Sequence, residues 1–179
     1  MISNKRCSVH NKGVQPLYIF GGLPGTGKST LSAALAKELR ATYLRVDVVE
    51  QAMRTAGIAV NGPEGYMVCY ELAKQNLSLG LDVIADTVNP ISITRQAWRG
   101  VAESLQIPFV EIEVVCSDEH EHQHRVCTRG TDIPGLILPT WDEVKNRQYE
   151  AWNQVRIIID TADQTVEESI QSLREQLGL

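Results

Sequence analysis

Residues 22–29 read Gly22-Leu23-Pro24-Gly25-Thr26-Gly27-Lys28-Ser29: a glycine, four residues, then Gly-Lys-Ser. Each part of that spacing suits a polyphosphate. Gly22, Gly25 and Gly27 let backbone N–H groups curl around phosphate oxygens with no Cβ in the way. Lys28 reaches β- and γ-phosphates, and the Ser29 hydroxyl is a ligand for Mg²⁺. A helix is predicted from Thr30 to Arg40, with Leu31, Ala34, Leu35 and Leu39 on one face. It adds the positive end of its dipole to the loop. The chemistry expected of residues 22–30, Thr30 included, is binding of a magnesium-bound nucleoside triphosphate.

Two carboxylates close short apolar runs. Asp86 follows Val83-Ile84-Ala85, and a carboxylate there supports Mg²⁺ directly or through water. Asp47 follows Thr42-Tyr43-Leu44-Arg45-Val46 and can take the proton from a hydroxyl that attacks the γ-phosphate. Asp is also a preferred helix N-cap, the competing role for Asp47. The two acidic roles can be exchanged, and the sequence leaves that open.

Arg125 and Arg129 are four apart on one helix face, just before Gly130, Pro134, Gly135 and Pro139. They read as a lid over about residues 125–140, whose guanidinium groups meet the charge that develops on transfer. The competing role for Arg125 is a four-residue pair with Glu121. His120, His122 and His124 read as part of a solvated lid helix rather than a metal cluster, since alternate helix residues diverge. Arg54, Asn61, Tyr66, Asn89 and Arg95 are polar candidates for an acceptor site, Arg54 being favoured. Trp98, Trp141 and Trp152 read as packing residues, with Trp98 also placed to line an acceptor pocket.

The elements that must position these groups alternate strand and helix. Strands are predicted at Leu17–Phe20, Thr42–Val46, Asp82–Ala85, Phe109–Cys116 and Arg156–Ile159. Helices are predicted between them at 48–56, 63–79, 91–105, Ser117 to about 129, and 140 to about 154, the last opened by a Thr140/Glu143 capping box. Thr165 and Glu168 open a C-terminal helix in the same way. This alternation implies a parallel sheet covered on both faces, with ligands beyond the carboxyl ends of the strands.

The 179 residues suit a single domain, expected over residues 16–179 behind a flexible leader at 1–15. A net charge of −5 argues against a long nucleic-acid footprint. No apolar stretch approaches the roughly 20 residues of a membrane helix. Cys7, Cys69, Cys116 and Cys127 are scattered and read as reduced thiols of a cytoplasmic protein.

The loop Gly-Leu-Pro-Gly-Thr-Gly-Lys-Ser-Thr, the run Leu44-Arg45-Val46-Asp47, the run Val83-Ile84-Ala85-Asp86 and the arginine helix before a lid resemble the small P-loop kinases. That group includes chloramphenicol phosphotransferase, gluconate and shikimate kinases, and the kinase domain of polynucleotide kinases. Residues 80–90 followed by Arg95 and Trp98 look most like its "predicted kinase" branch. The resemblance implies an α/β three-layer fold, with five parallel strands in the order 2-3-1-4-5. It also implies Asp47 as acceptor base, Arg125 in the lid, and adenine near Thr161 to Gln164. Arg45 stands where shikimate kinases carry the first of two Asp residues, which counts against shikimate.

The reading is an ATP-dependent phosphotransferase acting on a small-molecule hydroxyl, a monomer or homodimer. Lys28, Asp47, Arg125 and Arg129 are its catalytic groups, and Ser29 and Asp86 its Mg²⁺ residues. The alternatives are a nucleotide-driven switch that binds a protein partner, and a kinase of nucleic-acid 5′-hydroxyls.

Overall fold

The computed structural model describes residues 15–179. The leader expected over 1–15 lies outside them but for Gln15, as does Cys7. Five strands, β1 (Leu17–Gly21), β2 (Thr42–Arg45), β3 (Val83–Asp86), β4 (Phe109–Val115) and β5 (Ile157–Asp160), form one sheet in the order β2-β3-β1-β4-β5. All four pairings are parallel.

The two-residue period of β1 explains why both sheet faces must be covered. Leu17 and Ile19 join Val83 and Ala85 on one face, under α3 (Glu64–Ser78) and α4 (Ser92–Ser104). Tyr18 and Phe20 join Ile84, Ile112 and Val114 on the other, under α1 (Lys28–Leu39) and α7 (Val166–Leu177). Trp98 is fully buried in the first cluster, so it is core, and it lines none of the three cavities described below. Burying a side chain as large as Phe20 or Leu35 is worth about 1.5–3 kcal/mol, which fixes the central strands.

The remaining helices are α2 (Val46–Thr55), α5 (Glu119–Thr128) and the short α6 (Trp141–Lys145). Thr140–Glu143 and Thr165–Glu168 both form capping boxes. The cap of α5 is Asp118, which accepts from the Glu121 N–H at 2.7 Å; the expectation of Ser117 is off by one residue.

The helix expected to about residue 154 stops at Lys145, and beyond it the Glu150 N–H donates to Pro90 O at 2.8 Å instead of to the preceding turn. The buried Arg95 guanidinium donates to the carbonyls of Asn89, Pro90, Glu150 and Ala151. Its face lies 4.4 Å from the Trp152 ring centroid and 5.5 Å from that of Tyr149. Arg95 is therefore a structural clamp and not an acceptor ligand. The Trp152 ring in turn fills the space beside Gly21, where a Cβ would lie 2.5 Å from an indole carbon.

Candidate active site

The end of β1 turns into the phosphate loop, and two glycines are required by what surrounds it. Gly22 has φ +148°, and a Cβ there would meet the Val114 carbonyl oxygen at 2.3 Å. Gly25 has φ +91°, and its Cβ would lie 2.5 Å from Val126 on α5. The loop is tied down on both sides. Gly22 N–H donates to Val88 O at 3.1 Å, and the Thr161 hydroxyl lies 2.9 Å from Thr26 O. Helix α1 then begins at Lys28, itself buried at 6% exposure. Its free N-terminal N–H groups add to those of the loop.

Helix α5 latches onto this loop. His122 Nε2 donates to Pro24 O at 2.9 Å, and its ring meets Trp141 edge-on at 5.2 Å. A carbonyl only accepts, so Nε2 carries the hydrogen. The solvated helix expected here is thus corrected for His122, which is buried because its neighbour is a loop of glycines with room for a ring. Arg125 is equally fixed: it donates to Thr161 Oγ1 at 2.7 Å, to Thr161 O at 2.8 Å, and to Glu121. Both roles weighed for Arg125 are compatible, since it pairs with Glu121 while lining the cavities beside Gly25 and Gly27. Arg129 follows the last turn of α5, half-buried, with no partner for its Nε among the described residues. Burial lowers its pKa and the nearby Asp47 carboxylate raises it.

The two carboxylates sit in unlike surroundings. Asp47 is in the first turn of α2, not at the strand end, because the helix begins at Val46. It is half-exposed and lines a cavity of about 430 Å³ together with Lys28, Ser29, Arg54, Arg129 and Arg147. Asp86 ends β3 beside Phe20 of β1 and is only 2% exposed. Its Oδ2 accepts from the Tyr43 hydroxyl at 2.7 Å and lies 3.6 Å from Arg45 Nε. Its buried Oδ1 has no partner among the described residues. Tyr43 lies 3.4 Å from Ser32 Oγ, which donates to Ser29 O at 3.2 Å, so a short polar chain joins Asp86 to the loop. Burial, with the Asp86 charge next, pushes the Tyr43 phenol up, so it stays a donor at neutral pH. Arg45 reaches outward as well, its Nη1 donating to both Asp132 carboxylate oxygens at 2.8 and 2.9 Å.

A second cavity, of about 500 Å³, lies over Gly25 to Thr30 and is lined by Arg125, Arg129 and Asp132. A third, of about 240 Å³, is lined by Thr30, Arg125, Thr161, Gln164 and Val166.

Comparison with known proteins places this geometry. Residues 17–156 match the AAA domain family. The chain belongs to that family, in its P-loop kinase branch. The adenylyl-sulfate kinase of Oceanobacillus iheyensis is 31% identical over 167 residues, covering 86% of this chain and 79% of that protein. The Mycobacterium tuberculosis APS kinase CysC, solved with AMPPNP and APS, matches with a TM-score of 0.69 at 17% identity over 93% of this chain and 99% of that one. A gluconokinase from Sinorhizobium meliloti matches with a TM-score of 0.66 at 16% identity over 91% of each chain. At such identities the structures establish the fold. The protein is an ATP-dependent small-molecule phosphotransferase, a kinase with an alcohol group as acceptor. No helix among the described residues is long and apolar enough to cross a membrane.

The donor atoms of this kinase fit Mg²⁺, a hard cation that takes oxygen ligands. The Ser29 hydroxyl lies in the loop, and Asp86 offers an unpartnered buried oxygen. Of the other polar candidates, Arg54 lines the 430 Å³ cavity and Asn61 is exposed away from it. Asn89 is buried at φ +49°, its N–H donating to Tyr66 Oη at 3.1 Å, so both serve the fold. Sequence reasoning missed Tyr43 and Arg147. A tyrosine in the strand beside Asp86 was a readable signal; nothing in the sequence marks Arg147, which follows a helix that ends early.

Proposed function

We propose that the kinase moves the γ-phosphate of Mg-ATP to a hydroxyl of a small molecule held in the 430 Å³ cavity. The observation that carries this reading is that Lys28, Ser29 and Asp47 line that one cavity. Asp47 is open to the acceptor and removes or orients its hydroxyl proton. Asp86, buried outside the cavity lining, takes the other acidic role and, with Ser29, holds Mg²⁺. That ion, when bound, neutralises phosphate charge. Lys28 and the loop N–H groups grip the phosphates. Arg125 and Arg129 face the transferring group from the α5 side, and the adenosine end lies against Thr161 and Gln164.

Acceptor-dependent ADP formation tests this, across adenylyl sulfate, hydroxy acids, sugars and oligonucleotide 5′ ends. Asp47→Asn is expected to lower acceptor phosphorylation by about 10²–10⁴-fold while ATP affinity stays within about twofold. Unchanged phosphorylation would take the base away from Asp47. Equal ATP consumption with and without every acceptor would favour the switch reading instead.

A further inference from the structure

The cavity in front of Asp47 carries more positive charge than phosphate transfer uses. Lys28, Arg45, Arg54, Arg129 and Arg147 line it, against only Asp47 and Glu50. This surplus sits in a chain whose net charge is −5. Lys28 and Arg129 belong to the phosphates in the reading above, and Arg45 is committed to Asp86 and Asp132. Two arginines remain. Arg54 ends α2, two turns beyond Asp47, and uses one nitrogen on Glu50 at 3.1 Å, which leaves the rest of its guanidinium fork open. Arg147 follows α6 and lines the same cavity; the nearby Glu143 carboxylate feels its charge, but among the described residues Arg147 makes no direct side-chain hydrogen bond or ion pair. The segment Leu136-Ile137-Leu138-Pro139 lines the same cavity, with Ile137 91% exposed.

Two forked cations lining one cavity with a base form a receptor for a planar or tetrahedral anion. We propose that the acceptor is an organic anion whose carboxylate, sulfate or phosphate is clamped by Arg54 and Arg147 while its hydroxyl points at Asp47. This rests on the functional reading above and narrows its substrate class. Neutral sugars and cationic antibiotics are disfavoured: a neutral acceptor leaves the surplus charge unmatched, and a cation meets it directly.

The test separates the anion site from the chemistry. The protein is first saturated with Mg²⁺ and a non-hydrolysable ATP analogue, which fills the phosphate loop. Inorganic sulfate is then titrated by calorimetry. Saturable binding is expected, weakened by about tenfold or more in the Arg54→Ala/Arg147→Ala double variant and partly retained in Arg147→Lys. No sulfate binding, or equal binding in a double variant with unchanged circular dichroism and nucleotide affinity, overturns the proposal. Matched acceptors supply the second arm: gluconate against glucose, glycerol 3-phosphate against glycerol, adenylyl sulfate against adenosine. Turnover by charged members only, with the double variant raising KM more than it lowers kcat, supports the clamp and tells the three anions apart. Turnover by neutral members at equal kcat/KM sinks it and leaves the kinase assignment standing. If no pair is phosphorylated, the reading of the reaction fails, and the sulfate titration decides the anion site alone.

Discussion

The two sides of the phosphate loop are built differently. On the α5 side the groups that face the nucleotide are buried and cross-tied: His122 to Pro24, Arg125 to Thr161, Gly25 against Val126. On the α2 side the cavity is lined by long charged side chains on a helix and an irregular loop, most with one partner or none. The first side is preorganised, so it can stabilise developing charge without reorganising. The second can change residue by residue without disturbing the fold, because exposed side chains contribute little to stability. One arrangement suits a donor shared across a family, the other an acceptor that varies within it.

Removing the shared part should be the most damaging. Lys28→Ala is expected to lower turnover by about 10³-fold or more, with the protein still folded by circular dichroism. A loss below tenfold would mean that the buried ammonium is not at the phosphates. Arg125→Ala comes next, with an expected fall of about 10²-fold in kcat and a looser 161–165 loop by hydrogen exchange, since three of its contacts hold that loop and Glu121. Gly25→Ala tests preorganisation itself. The new Cβ would collide with Val126 at a positive φ, so about 1–3 kcal/mol of stability should be lost in denaturant melts, with weaker ATP binding.

The smallest effect belongs to the open side. Asp132→Ala removes the partner of Arg45 across an exposed pair, and stability should move by no more than about 0.5 kcal/mol. Limited proteolysis should nonetheless quicken within residues 130–139. The Arg45 hydrogen bond lowers the pKa of Asp132, so the link is whole above the ordinary Asp value near 3.9 and weakens as pH falls through the lowered one. A large stability loss in this variant would erase the contrast between the two sides.

The same contrast explains what could be read from the residues alone. The loop and the paired capping boxes rest on local patterns, so spacing revealed them; the strand order came only from the resemblance to small P-loop kinases. Asp86 was legible because a strand ending in Asp beside a phosphate loop is a local signal. The burial of His122 and the clamp of Arg95 were not, because each depends on a partner far along the chain: Pro24 for one, Glu150 and Ala151 for the other. The helix predicted to about residue 154 fails for the same reason, since the Glu150 N–H is taken by the distant Pro90 carbonyl. Arg147 joins the cavity only because that helix fails.

Trp152 and the missing side chain at Gly21 occupy one shared volume. As this lineage drifts, position 21 cannot grow unless position 152 shrinks in step, although some 130 residues of chain separate them. Aligned homologues should therefore show the two sites substituted jointly. The start of the phosphate loop is thereby bound to the history of an irregular segment far along the chain.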